Sequence, residues 1–241
     1  MNKFISFEQN TTGRDFVVGD VHGQFDTLAG LLAQVDFNTD TDRLFSVGDL
    51  IDRGPQSEQA VEWIAQPWFH AVRGNHEQLA IDAEDGVAGM AECHLANGGL
   101  WFLRLSEEQR AYMATVFDSL PYAIEVETAR GLIGIVHAEP SPDWRLLKAE
   151  LLAETEPRRA VLNSVLWARS RINDQSQSMV GGVERVYVGH TPVDRPVMLG
   201  NVCYIDIGAG FNDGSMLLVD MSNNNALMTS AKENDNGKQK H

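Results

Sequence analysis

Three times in the first eighty residues a short apolar run ends in a polar loop and then in a helical pattern. This recurrence limits the fold more than any single motif. Asp15-Phe16-Val17-Val18 ends at Gly19-Asp20-Val21-His22-Gly23, after which Phe25, Leu28, Leu31, Leu32 and Val35 recur at helical spacing. Leu44-Phe45-Ser46-Val47 ends at Gly48-Asp49-Leu50-Ile51-Asp52-Arg53-Gly54, with a helix expected over 57–65. Phe69-His70-Ala71-Val72 ends at Arg73-Gly74-Asn75-His76-Glu77. Strands alternating with helices in this way build an α/β protein, whose ligands sit at the carboxyl ends of the strands.

The rest of the chain adds strands and helices of the same kind. Residues 78–120 read as mostly helical, interrupted at Asn97-Gly98-Gly99, with an amphipathic helix beginning near Ser106. His94 in this region is expected at the surface or in packing. Alternation returns at 122–127 and at 132–136, where the second run ends in His137. A helical stretch is expected over 146–167, leading into Arg169 and Arg171. Arg185-Val186-Tyr187-Val188 ends at Gly189-His190-Thr191-Pro192, and the last alternating runs cover 202–206 and 216–220. From residue 230 the chain is polar and rich in Lys, Asn and Gln, the composition of a disordered tail. A single domain over 1–229 with a tail over 230–241 is the expectation.

Composition excludes several function classes. Nineteen Lys and Arg against 34 Asp and Glu give a formal charge of −15, which repels nucleic acid and anionic membranes. It leaves a phosphorylated substrate open, because bound cations and a few arginines make a local positive site in an acidic protein. Two distant cysteines, Cys93 and Cys203, form neither a disulfide framework nor a zinc ribbon. No apolar run is long enough for a signal peptide or a membrane span, so a cytoplasmic protein is expected. The 36–42 stretch has the look of a calcium loop but lacks its sixth-position glycine and its closing glutamate, where Val47 stands. Covalent cysteine phosphatase chemistry wants an arginine six residues beyond the nucleophile, and Gly99 and Ala209 occupy those positions. No Gly-x-x-x-x-Gly-Lys loop is present.

Five loops, each following a short strand, carry Asp20-x-His22, Asp49, Asn75-His76, His137 and His190. One strand-end His or Asp commonly caps a turn; five at the same end of five strands read as a metal site. Carboxylate, imidazole and amide oxygen suit Mn²⁺, Fe or Zn²⁺ with open coordination positions. Six candidate ligands exceed the need of one catalytic ion, so two divalent ions are expected, activating a water and stabilising the oxygens of an in-line displacement. Arg53 and Arg73, each beside a ligand motif, are forks for phosphate oxygens. His76 can hold a proton near neutrality and give it to a leaving alkoxide, with Asp52 orienting the ring.

In order, Gly19-Asp20-Val21-His22-Gly23, Gly48-Asp49-Leu50-Ile51-Asp52-Arg53-Gly54 and Gly74-Asn75-His76-Glu77 resemble the signature of the phosphoprotein phosphatase family. His137 and Gly189-His190-Thr191 match its later metal histidines, and Leu166-Trp167-Ala168-Arg169 is similar to the bacterial and phage branch typified by lambda phosphatase. The resemblance runs from about Phe16 to Val219. It implies a calcineurin-like metallophosphatase fold, a central β-sandwich flanked by helices with the metal site at one edge. It further implies that Asp20, His22 and Asp49 bind one ion and that Asp49, Asn75, His137 and His190 bind the other, so Asp49 bridges. Arg53, Arg73 and Arg169 match phosphate-binding arginines, and His76 with Asp52 matches the acid pair. Where relatives carry a toxin-sensitive loop this chain has Gly208-Ala209-Gly210-Phe211-Asn212-Asp213, so neither inhibitor sensitivity nor a regulatory subunit is carried over.

The function expected is hydrolysis of phosphoserine and phosphothreonine monoesters in proteins or peptides, with phosphotyrosine as a further substrate and Mn²⁺ as the expected metal. Diadenosine tetraphosphate hydrolases share much of the signature, usually with a small apolar residue where Asp52 stands, and are the alternative. A metal-dependent binding module without turnover is the third reading.

Overall fold

In the computed structural model the described residues are 2–211, 215–223 and 226–229; the tail expected over 230–241 lies outside them. Two sheets stack face to face. One runs in the order β1 (Phe4–Phe7), β5 (Ala123–Thr128), β6 (Gly131–Val136), β7 (Arg185–Val188), β9 (Val202–Tyr204), β8 (Val197–Leu199). The other runs β11 (Ala226–Thr229), β10 (Met216–Asp220), β2 (Asp15–Val18), β3 (Arg43–Ser46), β4 (Phe69–Ala71).

The alternation of side chains along each strand divides the core into layers. Val17, Phe45, Leu217 and Val219 of one sheet pack against Ile124, Val126, Ile133, Ile135 and Tyr187 of the other. The outer faces are covered by helices. Phe16, Val18, Leu44 and Leu218 meet α1 (Phe25–Gln34), α3 (Asn75–Glu84) and α6 (Glu107–Asp118) through Leu28, Leu31, Ile81 and Phe117. Val136, Val186, Val188 and Val202 meet Trp144, Leu147 and Leu151 of α7 (Trp144–Leu151) and Val165 and Leu166 of α8 (Arg159–Trp167). The result is a β-sandwich flanked by helices. Among the described residues no helix is long and apolar enough to cross a membrane.

Strand order brings the candidate site together. In one sheet β2, β3 and β4 lie side by side and parallel, and in the other β6, β7 and β9 do the same. Six strands therefore deliver their carboxyl-terminal loops to one edge of the sandwich.

Local boundaries differ from expectation where a single residue decides. The stretch expected as one helix over 146–167 is two, because Pro157 removes an amide donor and restricts the residue before it. The expected 57–65 helix opens as a 3-10 turn, Ser57–Gln59, before α2 (Ala60–Ile64). Ser106 caps α6, accepting the N–H of Gln109 while the Gln109 side chain accepts the N–H of Ser106. The short strands β1, β8 and β11 were not anticipated; β8 is three residues long and is turned back on β9 by Gly200, at φ +62.

Candidate active site

Asp49 stands at the centre of the edge. Its Oδ1 lies 3.3 Å from His137 Nε2, and its Oδ2 lies 3.7 Å from His22 Nε2 and 3.9 Å from His76 Nε2. One carboxylate thus faces two groups, Asp49 with His137 and His190, and Asp49 with His22 and His76, each with its donor atoms within 4.8 Å of one another. Asn75 Oδ1 joins the first group, 2.9 Å from His137 Nε2 and 2.8 Å from His190 Nδ1. Asp20 borders the second, its Oδ2 4.0 Å from His22 Nε2.

Ring orientation is what makes these groups metal-like. His22 Nδ1–H donates to the Ile51 carbonyl at 2.9 Å, His137 Nδ1–H to Val47 at 2.8 Å, and His190 Nε2–H to Trp167 at 3.1 Å. Each backbone bond fixes the tautomer and turns the other nitrogen's lone pair into the cluster, the arrangement that metal-binding histidines require. Around Asp49 Oδ1 the ligand atoms of Asn75, His137 and His190 converge, an arrangement met by a cation between them or by a proton on His137, whose pKa burial lowers but Asp49 raises by more. Burial lowers the pKa of His22 and of His190 to about 3, so both rings are neutral ligands at pH 7. Burial, then the charges of Asp206 and Asp49, push the Asp20 carboxyl well above the ordinary carboxylate range. The donor set fits divalent cations on both sides of Asp49.

Backbone strain is concentrated here. Of the seven non-glycine residues with positive φ among those described, His22, Asp49, Asp52, Arg53 and His190 belong to the candidate site. Gly74 is required by close approach, since a Cβ there would lie 2.2 Å from Asp49 Oδ1. The strained loop is held by Glu77, whose buried carboxylate accepts N–H bonds from Gly74, Asp49, Leu50 and Ile51 at 2.8–3.3 Å. His76, in the first turn of α3, places its backbone N–H on Asp49 Oδ1 at 3.0 Å, so the helix N-terminus also faces the shared carboxylate.

A model of the calcineurin-like phosphoesterases matches residues 16–195. The chain belongs to this family. A serine/threonine-protein phosphatase 1 of Salmonella typhimurium is 38% identical over 200 residues, 81% of this chain and 87% of that protein. A symmetrical bis(5'-nucleosyl)-tetraphosphatase of Actinobacillus pleuropneumoniae is 30% identical over 151 residues, 62% of this chain and 53% of that protein. A solved structure provisionally assigned as a diadenosine tetraphosphatase superposes with a TM-score of 0.68 at 21% identity, covering 95% of this chain and 98% of the other; at that identity it speaks for the calcineurin-like phosphoesterase fold alone.

The arginines behave differently from one another. Arg53 is exposed and donates from Nη1 to His22 Nε2 at 2.8 Å and from Nη2 to His76 Nε2 at 2.9 Å, with the Phe211 ring 5.5 Å away. Arg169 borders the His190 loop, donating to the His190 carbonyl and to Thr191 Oγ1. Arg73 is buried, and its fork is engaged by Asp118, Gln78 and Tyr122, tying α3 to the end of α6. Of the 208–213 stretch, Asn212 and Asp213 lie outside the described residues.

Asp52 and His76 form a separate pair. His76 Nδ1–H donates to Asp52 Oδ2 at 2.6 Å, and Asp52 has no exposed surface. Burial raises the pKa of Asp52, but hydrogen bonds from His76 and His94 outweigh it and leave a carboxylate. His94 is therefore not a surface histidine: it is fully buried, and its Nε2 lies 3.0 and 3.1 Å from the two oxygens of Asp52. Sequence reading also passed over Asp206, a buried carboxyl in the loop after β9 that accepts the Gly208 N–H and whose charge helps to raise the pKa of Asp20. The signal was its strand-end position, shared with the other five loops but without a histidine to mark it.

Proposed function

We propose that this calcineurin-like phosphoesterase hydrolyses phosphoserine and phosphothreonine monoesters of proteins or peptides, with phosphotyrosine as a further substrate. The observation that carries the reading is the 2.6 Å bond between Asp52 and His76. A serine or threonine alkoxide leaves only with a proton, whereas a nucleotide leaves as a stable anion. A buried carboxylate holding an imidazole upright is thus apparatus for monoesters rather than for dinucleoside polyphosphates. The Salmonella relative's name supports the same substrate class.

In this reading Asp20, His22 and Asp49 hold one divalent ion, and Asp49, Asn75, His137 and His190 hold the second. Mn²⁺ is the metal proposed, Fe and Zn²⁺ suiting the same donors. The ions would supply an activated water and neutralise charge on the phosphoryl oxygens. Arg53 donates to Nε2 of both His22 and His76; with the first nitrogen given to an ion and the second protonated, the guanidinium would be free to take a phosphate oxygen. Arg169 presents a second fork, and Arg73 a third once its pairing with Asp118 opens. Burial lowers the pKa of His76, but Asp49 and Asp52 outweigh it and raise the pKa above the ordinary value, the direction that suits a proton donor. His76 is then the general acid and Asp52 the residue that orients it.

The proposal takes 1–229 as one catalytic domain, acting without a regulatory subunit on phosphorylated protein. The charge of −15 supports neither a nucleic-acid nor a membrane partner. Its proposed setting is the cytoplasm, where the free thiols of Cys93 and Cys203 stay reduced. The test is turnover of Mn²⁺-reconstituted protein on phosphoserine, phosphothreonine and phosphotyrosine peptides beside diadenosine tetraphosphate. A higher kcat/KM on the phosphoserine and phosphothreonine peptides is expected. Preference for the dinucleotide overturns the substrate class, and failure on every phosphomonoester leaves a binding module.

A further inference from the structure

The Asn97-Gly98-Gly99 turn and the buried His94 are absorbed by none of the roles above, yet both press on Asp52. Asp52 Oδ1 accepts from Trp101 Nε1–H at 2.6 Å, His94 Nε2–H is shared between Oδ1 at 3.0 Å and Oδ2 at 3.1 Å, and Oδ2 accepts from His76 Nδ1–H at 2.6 Å. A carboxylate held by Trp101 on Oδ1 and straddled by His94 across both oxygens cannot rotate about its Cβ–Cγ bond without breaking these bonds. Its other oxygen is thereby aimed at the imidazole it serves.

The glycines make this grip possible. A Cβ on Gly99 would lie 2.3–2.5 Å from three atoms of the His94 ring. Gly98 has φ +108, and its Cβ would lie 2.8 Å from the Arg53 nitrogen and 3.3 Å from Asp52 Cβ. Two adjacent glycines therefore let the end of α4 (Met90–Ala96) and the start of α5 (Leu100–Leu103) close onto the back of the Gly48–Gly54 loop. Phe102 packs its ring against that of His94, the centroids 5.4 Å apart.

We propose that His94 and Trp101 are positioning residues that clamp Asp52, and through it orient His76 for proton delivery to an alkoxide leaving group; this rests on the phosphatase reading above. The clamp acts on proton delivery and leaves ion binding alone, since neither residue is among the donors around Asp49. Replacing either donor therefore lowers kcat where the leaving group needs a proton and spares KM.

The test uses Trp101→Phe and His94→Phe, with His94→Gln as the variant that keeps a donor. On Mn²⁺-loaded protein, kcat for a phosphoserine peptide is expected to fall about 10- to 100-fold in the Phe variants, as for other outer residues that orient a site. The loss on p-nitrophenyl phosphate, whose leaving group needs no proton, is expected to be much smaller, and His94→Gln recovers most of the peptide activity. Mn²⁺ affinity by titration calorimetry stays at the wild-type value. Independently of turnover, the proton resonance of His76 Nδ1–H shifts or broadens in Trp101→Phe. Equal losses on both substrates, no loss on either, or an unshifted resonance overturns the clamp. If the wild type itself fails on the peptide, the phosphatase reading falls, and the resonance alone then decides the positioning.

Discussion

Asp49 and Asp52 lie three residues apart on one loop, both buried and both in left-handed backbone, yet they face opposite chemistry. Around Asp49 the His76 backbone N–H reaches Oδ1, while the side chains of Asn75, His137 and His190 turn potential ligand atoms, Oδ1, Nε2 and Nδ1, towards the carboxylate. Around Asp52 the side chains of His76, His94 and Trp101 present N–H groups. A carboxylate among side chains that offer ligand atoms suits a cation, and a carboxylate among side-chain donors is already satisfied. The first pocket offers a donor set that suits a divalent ion, and the second holds a charge and a ring still.

The largest effect that would break this contrast is at the shared carboxylate. Asp49→Asn removes the one oxygen pair common to both groups, and kcat/KM is expected to fall by at least about 10³-fold, the several kcal/mol that metal assistance supplies. His76→Asn tests the other pocket. A loss of about 10²- to 10⁴-fold in kcat on a phosphoserine peptide, with metal content unchanged by elemental analysis, is the expected outcome for a general acid. Unchanged turnover on that substrate would remove His76 from the chemistry.

Glu77→Gln probes what keeps the two pockets apart. Its carboxylate takes four backbone N–H groups from the loop and the helix start, and a glutamine turns a donor toward some of them. Burial, then the Asp49 charge, push the Glu77 pKa up to about 7, and unfolding in urea is expected to show a loss of about 1–3 kcal/mol, the scale of leaving buried N–H groups unsatisfied. Metal binding should weaken in parallel; a destabilised protein with wild-type metal affinity would separate the loop from the site.

The smallest effect comes from a donor-surrounded carboxylate far from the edge. Asp42 is buried, and burial raises its pKa, but the Arg14 guanidinium with the Asn38 and Arg14 backbone N–H groups outweighs this and leaves it lowered. A lowered folded pKa means stability present above the unfolded value of about 3.9 and lost as pH falls through the folded one. Asp42→Asn is therefore expected to flatten the acid limb of the urea midpoint, with no effect on turnover at neutral pH.

Much of this was legible in the chain before any coordinates. The strand-loop-helix recurrence placed Asp20, His22, Asp49, Asn75, His137 and His190 at strand ends, and parallel pairing of β2–β4 and of β6, β7 and β9 explains why such ends meet. What sequence spacing could not carry is direction. Nothing in the order of residues says that His94, 42 positions beyond Asp52, turns inward, or that Arg73 finds Asp118 before it finds a phosphate. Gly98 and Gly99 read as a helix interruption because their neighbours across the turn are distant in sequence. Asp206 carried the right position but no imidazole to draw attention to it.

The contrast between the two aspartates is tested most directly by Mn²⁺ titration calorimetry on the wild type, Asp49→Asn and Asp52→Asn side by side. Two ions per chain are expected for the wild type and for Asp52→Asn, with binding lost or sharply weakened in Asp49→Asn. Equal affinities in all three proteins, or loss of the ions in Asp52→Asn alone, would contradict the account.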